Sequence, residues 1–369
     1  MSSIIEWSPT QLPQLRNPRT GRVQREQLEE VIKLALSAGA EHVLASSEVR
    51  DAVADLAREF FERRGRYAEH TWEALNACWG AFCRWCEENK HRALPADSET
   101  LEAFLVAQKH RKRSTLNGYR WAVSRVHRGC GCPDPAASVA VEDQMKAIRR
   151  EKVQRGERIK QAAPLRHVHL NALVELWRHS DSPVHRRNAA LVVVAYETML
   201  REAELARICG ADIELHADGT GTLTVPWTKT NVSGEPDVVA LSKQAVAMIG
   251  EYQELACLPA GYQGSLWVPF TKKGEPRASG GPLSVRAIDK VFRAAYAALA
   301  VAGGVDLPKR SWSGHSCRVG AAQDLMEAGF SGLQLQQAGR WKSEKMPYQY
   351  ARQLLAREGA MAKFRSECS

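Results

Sequence analysis

The chain has 369 residues, enough for two domains with cores of their own, and carries 51 Lys and Arg against 42 Asp and Glu, a formal net charge of +9. That excess points to nucleic acid or an anionic membrane surface as partner. No apolar run approaches the length of a membrane span and the N-terminus lacks a basic-then-apolar signal pattern, so a cytoplasmic protein is expected. The nine cysteines, odd in number and mostly set in apolar helical text, suit free thiols in a reducing compartment rather than a disulfide framework.

Residues 1–22 hold three prolines and no periodicity, and read as a flexible arm. From Arg25 to Arg64 the pattern is helical, in two pieces broken near Gly39 and Ser46-Ser47. Trp72, Leu75, Trp79, Phe82, Cys83 and Cys86 then recur at three/four spacing, which buries one face of a helix. His70 and Thr71 lie at its start, a placement that fits entry into a DNA groove or an ordinary solvated face equally well. Cys83-x-x-Cys86 and Cys130-x-Cys132 resemble metal spacings. The first pair, however, lies inside helical text, and no second Cys-x-x-Cys or His pair follows, so no metal site is expected. Pro95 and Asp97-Ser98 open another helix through Leu101, Phe104 and Leu105.

Lys109 to Arg113 is the densest basic cluster, set ahead of a helix with Leu116, Tyr119, Val123 and Val126 on its apolar face. Lys112, Arg113, Ser114 and Thr115 stand at that helix start, where backbone N–H groups also favour phosphate; contact with a DNA backbone or a plain solvated face are the two readings. Gly129 to Pro135 is a turn-rich break, and one more helix runs to about Gln154. The polar, basic, Pro-terminated stretch 149–164 marks the domain boundary. The division expected is an all-helical domain over 23–156, a linker over 157–164 and a second domain over 165–369. Lys160 sits in the linker, placed to lie along a nucleic-acid backbone.

In the second domain two helices lead into the apolar run LVVVAYETML, which Arg201 follows. A charge at the end of a buried run is expensive unless paired or functional, and Glu204 is spaced to orient it. Strands are predicted near 223–225 and 237–240, with Lys229 on the hairpin tip between them. A helix is predicted over 242–256, a short strand or extended segment over 267–270, and an amphipathic helix over 283–299. Arg286, Lys290 and Arg293 lie on the outer side of that last helix, with Arg286 suited to a guanine edge in a major groove.

The stretch 311–350 concentrates the chemistry. Ser313 is predicted to cap a helix start, which puts His315 and Arg318 on one face. An imidazole moves protons near neutral pH and a guanidinium grips phosphate with paired hydrogen bonds. Trp341 adds an indole donor and Tyr350 a nucleophilic phenol. Beyond it, Leu354, Met361 and Phe364 form an apolar stripe on a terminal helix. Acid/base, phosphate clamp, donor and nucleophile together suggest phosphoryl transfer.

The order Arg201…Lys229…His315-x-x-Arg318…Trp341…Tyr350 resembles the tyrosine site-specific recombinases. The stretches AEHTW, RGERIKQA, LREAELARI, TKT, LSVRAI, WSGHSCRVGAA and QAGRW resemble a member of that family at the same relative places, from roughly Tyr67 to the C-terminus. The resemblance implies a mainly α, two-domain C-shaped DNA clamp. Its parts are an all-helical core-binding domain and a mixed, mostly helical catalytic domain with a small antiparallel sheet. It also implies double-stranded DNA with inverted-repeat arms as partner, a dimer on one site and a tetramer in synapsis. The reaction it implies is cutting and rejoining of DNA strands through a 3′-phosphotyrosine, without metal or nucleotide cofactor. In that scheme Arg201 and Arg318 clamp the scissile phosphate, Trp341 and His315 add hydrogen bonds, Lys229 protonates the leaving oxygen and Glu204 holds the arginine face. Tyr348 is a rival nucleophile; on a helix it points about 200° away from Tyr350, and the family's spacing from Trp341 selects Tyr350. A type IB topoisomerase and a non-catalytic DNA-binding regulator are the alternatives.

Overall fold

The computed structural model describes residues 12–158, 160–225, 235–259, 261–277 and 281–367, with the backbone alone described at 353, 356–358, 360, 362, 363 and 367. The chain forms two compact units, residues 1–159 and 160–369.

The first unit is helical throughout its described part: α1 (Arg25–Ala38), α2 (Glu41–Leu44), α3 (Ser47–Glu62), α4 (Glu69–Glu88), α5 (Ser98–Ala107), α6 (Arg113–Gly129) and α7 (Val139–Gln154). Both expected breaks are present. Gly39 closes α1 in the left-handed region at φ 63, and the Ser46 hydroxyl accepts the Val49 N–H to start α3. Between them the chain makes the one-turn α2, so the stretch holds three helices rather than two. The expected loose arm is docked over its described part. Leu15 is buried in the core around α1 and α3, and Arg16 pairs with Asp55 at 2.6 Å while its backbone bridges to Val23.

Two hydrophobic clusters fill this unit, and α6 serves both. Ala122 and Val126 join the cluster around α1 and α3, while Leu116, Tyr119 and Val123 join the one around α5 and the end of α4. On α4, Trp72, Leu75, Phe82 and Cys86 are buried as the spacing requires, with Trp79 and Cys83 half-buried at the rim. His127 is sealed between the clusters. Its Nε2 accepts the Ala96 N–H at 2.9 Å, and its Nδ1 meets the Val123 carbonyl at 2.8 Å, an arrangement that requires the neutral ring protonated on Nδ1.

The second unit contains α8 (His167–Arg178), α9 (Pro183–Thr198), α10 (Glu202–Leu205), β1 (Ile213–Leu215), β2 (Gly221–Val225), β3 (Asp237–Leu241), α11 (Lys243–Leu255), α12 (Val285–Ala302), α13 (Ser316–Glu327), α14 (Gly332–Gly339), α15 (Lys345–Glu358) and α16 (Ala360–Glu367). The strands form one antiparallel sheet in the order β1-β2-β3, with Leu223 opposite Val239. β1 goes beyond the sequence reading; it is short and mostly exposed, so it carries no apolar alternation. Residues 267–270 are extended but only bridge singly, Phe270 to Pro276, because Trp267 and Val268 are buried against α9 and α11 instead of a partner strand; Tyr252 and Arg187 side chains satisfy the backbone there.

The central helix α9 is buried on every side, with Ala189 to Ala195 all at 1 % exposure or less. This is the helix whose end must carry Arg201. The Ser313 cap is corrected. The helix starts at Ser316, with Ser313 N–H donating to the Ser316 hydroxyl and the Gly314 N–H donating to Glu202 Oε1 at 2.8 Å. The Ser316 N–H that a Ser313 cap would take on its hydroxyl goes to the Ser313 carbonyl at 2.8 Å, and the Gly314 N–H is held by Glu202. The terminal stripe also divides. Leu354 is buried in its own unit, while Met361 and Phe364 on α16 are exposed. Among the described residues no helix is long and apolar enough to cross a membrane, and no group of three or more His, Cys, Asp or Glu converges.

The buried His127 gives a pH prediction. Desolvation, outweighing the Val123 hydrogen bond and Asp134, pulls it from 6.5 down to about 4. Between those values the unfolded chain binds a proton that the folded chain refuses, so stability is complete above pH 6.5 and falls as pH drops toward 4. The loss is expected to reach about 3 kcal/mol. Urea midpoints for the first unit's transition at pH 7 and pH 4.5 should differ in the wild type and differ far less in His127→Gln, whose amide oxygen still accepts from Ala96.

Candidate active site

The site is built around the C-terminal end of α9. Helix ends leave carbonyls without intrahelical partners and carry partial negative charge. Here the chain leaves α9 through Met199 in the left-handed region, φ 49. The exposed carbonyls face two arginines from distant sequence. Arg340 Nη1 donates to Thr198 O at 2.9 Å, and Arg318 Nη1 donates to Met199 O. Arg318 Nη2 donates to Gly339 O at 2.8 Å, so this one side chain, 1 % exposed, ties the end of α9 to the end of α14.

Arg201 follows immediately and is oriented by Glu204, as its spacing predicts. Glu204 Oε1 accepts Arg201 Nη1 at 2.7 Å and Oε2 accepts the Arg201 backbone N–H at 2.9 Å. Glu204 is buried, and its Oε2 also pairs with Arg340 Nη2 at 3.3 Å.

Trp341 has the guanidinium of Arg318 5.4 Å from its ring centre and the ring of Tyr350 stacked on it at 5.0 Å and 19°. A side chain at Gly339 would put its Cβ 2.6 Å from the indole, so only glycine lets the ring lie there. The indole Nε1 is buried and has no hydrogen-bond partner. An unpaired buried donor costs about 1–3 kcal/mol, which marks a place for an acceptor. Tyr350 is half-buried on α15, and its carbonyl accepts Gln161 Nε2 at 2.8 Å. Tyr348 is exposed on another side of α15, its hydroxyl against Gly332 of α14.

The closeness of these groups shifts their titration. Burial first, then the Arg201 charge, pulls the Arg318 guanidinium down to about 10, with Arg340 adding to the fall and Tyr350 and Glu204 opposing it. His315, open to solvent on one side at the start of α13, is held below its ordinary value by desolvation and then by Arg318 and Arg201. The neutral imidazole is favoured beside these cations. Arg201, Glu204, His315, Arg318, Trp341 and Tyr350 thus come together. Lys229 lies outside the described residues.

The DNA-contact candidates are spread over both units. Arg286 and Lys290 are exposed along α12, whose start is capped by Ser284; Arg293 on the same helix is engaged by Asp289 at 2.6 Å. In the first unit His70 is exposed and Thr71 half-buried in the first turn of α4. Lys112 and Ser114 are exposed, and Arg113 and Thr115 half-buried, at the start of α6. Lys160 is exposed. Two features escaped the sequence reading. One is Arg340. The other is a concavity of about 360 Å³ on the first unit lined by Arg25, Arg63, Arg66, Arg125 and Arg128 with the Phe60 and Tyr67 rings. Glu59 engages Arg25 and Arg63 there, and Arg125 Nε donates to the Tyr67 hydroxyl at 3.1 Å. The run Arg63-Arg64-Gly65-Arg66 was its only local signal.

Residues 165–357 match the phage integrase family. The chain belongs to that family: it is a tyrosine recombinase. It is 32% identical over 323 residues to the Cre recombinase of Escherichia phage P1, covering 86% of this chain and 93% of Cre. It is 26% identical over 298 residues to the integrase/recombinase XerD homologue of Selenomonas ruminantium, covering 78% of this chain and 82% of the relative. Among solved structures, XerH recombinase bound to a palindromic difH substrate superposes with a TM-score of 0.56 at 14% identity, over 95% of this chain and 98% of XerH. The Tn1549 transposon integrase in complex with transposon right-end DNA gives 0.56 at 15% identity, over 84% of this chain and 99% of the integrase. These two likenesses establish a shared fold.

Proposed function

We propose that the cluster at the end of α9 holds the scissile phosphate of duplex DNA and that Tyr350 is the nucleophile. The observation that carries this reading is Trp341, whose buried Nε1 has no partner and whose ring lies against both the Arg318 guanidinium and the Tyr350 ring. A donor, a cation and a phenol meet there, with Arg201 alongside. Arg201 and Arg318 stabilise the non-bridging oxygens as charge develops, and Trp341 and His315 donate further hydrogen bonds. The Tyr350 oxygen bonds to phosphorus as the bond to the 5′ oxygen breaks. The phenol proton leaves with help from His315, and Lys229 delivers a proton to the departing oxygen. The 3′-phosphotyrosine keeps the energy of the broken phosphodiester, so rejoining by an incoming 5′ hydroxyl needs neither nucleotide nor metal.

The substrate in this reading is a site with inverted-repeat arms. Arg286 and Lys290 of α12 read base edges or flank them. His70, Thr71, the start of α6, Lys160 and the arginine concavity contact the backbone. The first unit is the core-binding domain, the second the catalytic domain, and the protein works on DNA in the cytoplasm. Two protomers occupy one site and four meet in the synapse. A ring of four needs a head-to-tail contact, and α16 offers the donor, since Met361 and Phe364 are exposed and the helix begins just past Gly359.

The target site is recovered by incubating the protein with DNA of its own replicon and sequencing the covalently trapped ends. On that site Tyr350→Phe is expected to abolish covalent adducts while leaving binding within about twofold, because one hydroxyl is lost. Cleavage of a nicked suicide duplex is expected to proceed in EDTA. Adducts that persist in Tyr350→Phe and vanish in Tyr348→Phe would move the nucleophile to Tyr348.

Arg286→Ala is expected to relax preference at one or two positions of the site by about 1–3 kcal/mol. A binding-site selection profile identical to the wild type at every position removes Arg286 from base readout.

Truncation after Gly359 removes Met361 and Phe364 but leaves Leu354 in its core. Single protomers should still bind, while cooperative loading and the four-protomer complex are lost. Sedimentation of the truncated protein on a full site checks this; a four-protomer species at wild-type concentrations rules out α16 as donor.

A further inference from the structure

Arg340 occupies a backbone position that side chains rarely hold. It closes α14 in the left-handed region, φ 50, where glycine would sit without strain. Its guanidinium is nonetheless largely buried, with 11% of the side chain exposed, and it reaches three separate elements. Nη1 meets Thr198 O at the end of α9 at 2.9 Å, Nη2 meets Glu204 Oε2 on α10 at 3.3 Å, and Nε lies 3.4 Å from Asp237 Oδ2 at the start of β3. The residues on either side belong to the site as well: the Gly339 carbonyl holds Arg318, and Trp341 stacks on Tyr350.

The contact with Glu204 decides what this arrangement does. A buried carboxylate facing one guanidinium forms a pair that is close to neutral, and a neutral pair offers little to a phosphate. Glu204 already takes both the Arg201 backbone N–H and its Nη1. A second guanidinium on Oε2 shares that negative charge and fixes the carboxylate in place; with Asp237 beside Arg340 and the Arg318 guanidinium beside both, three cations face two carboxylates. Arg201 keeps 27% of its side chain exposed, open to an incoming anion.

We propose that Arg340 is a positioning residue of the phosphoryl-transfer site: by sharing Glu204 with Arg201, and by tying α10 to the end of α9 and the start of β3, it keeps Arg201 placed and unneutralised for the scissile phosphate. The role rests on the tyrosine chemistry proposed above, acts through Glu204 and Arg201, and requires no contact between Arg340 and DNA.

The test measures single-turnover cleavage of a nicked suicide duplex, at saturating full-length protein, for the wild type, R340G, R340K, E204Q and the double variant E204Q/R340G. Glycine suits φ 50 and offsets part of the loss of the Thr198 and Glu204 contacts, so R340G is expected to fold but melt below the wild type, and to bind the site with Kd changed less than about twofold. Its cleavage rate is expected to fall on the order of 10–100-fold. Because the effect runs through Glu204, R340G added to E204Q should lower the rate by less than about threefold beyond E204Q alone. A purely structural role would not produce that convergence. R340K, which keeps the charge, should recover part of the loss and serves as the deciding variant if R340G fails to fold. Cleavage by R340G at the wild-type rate, effects of E204Q and R340G that multiply, or R340K as slow as R340G would each overturn the proposal. Tyr350→Phe runs alongside: adduct formation by that variant overturns the underlying tyrosine reading, not the placement of Arg340.

Discussion

The hydrogen bonds from Arg318 and Arg340 to the last carbonyls of α9 are the contacts on which the second unit's site depends. From Ala189 to Ala195 the helix is apolar all round, so this stretch can only be central, and the C-terminal end must then surface inside the protein rather than in water. Carbonyls left there without partners would each cost about 1–3 kcal/mol. Two guanidiniums satisfy them and are themselves paid for by the partial negative charge of the helix end. Arg318 is thereby held by backbone carbonyls, whereas Arg340 also meets the Glu204 and Asp237 carboxylates. That distinction matters, because a carboxylate would neutralise the charge a phosphate needs.

The same geometry explains how residues far apart in sequence converge. α13 brings Arg318 in its first turn, the turn after α14 brings Arg340 and Trp341, and α10 follows α9 closely enough for Glu204 to reach back to Arg201. Gly314 shows how tight this join is: a Cβ there would lie 1.8 Å from the Glu202 side chain. α10 and the approach to α13 are thus locked by one carboxylate, which leaves His315 at the mouth of the cluster rather than inside it.

Most of the site was legible because its residues are chemically unusual for where they stand. Arg201 ends an apolar run, Glu204 lies one turn away, and a Trp and a Tyr nine positions apart accompany a His-x-x-Arg. Those signals are local or ordered along the chain. Arg340 carried no such signal, since its partners Glu204 and Thr198 lie 136 and 142 residues earlier and its left-handed backbone is invisible in composition. The helix start at Ser316 was misplaced for a related reason: the acceptor for the Gly314 N–H comes from Glu202, 112 residues before it. The docking of Leu15 and the short, exposed β1 fall in the same class, where tertiary partners decide and periodicity is silent. The helices were readable wherever one face had to be apolar over several turns, as on α4, α6 and α12.

The cluster is incomplete in a physical sense. Arg201 and Arg340 both depress Arg318, so the three guanidiniums repel one another, and the buried Glu204 and the nearby Asp237 offset only part of that charge. Trp341 adds a buried donor with nothing to donate to. In the reading proposed above, each of these costs would be relieved by the same object, an oxyanion with several acceptor oxygens seated beside Tyr350. Any ligand that lowers such costs in the folded state stabilises it by linkage. Strain of this kind, concentrated where charge must be stabilised and absent from the apolar body of α9, is what a site preorganised for phosphoryl transfer requires.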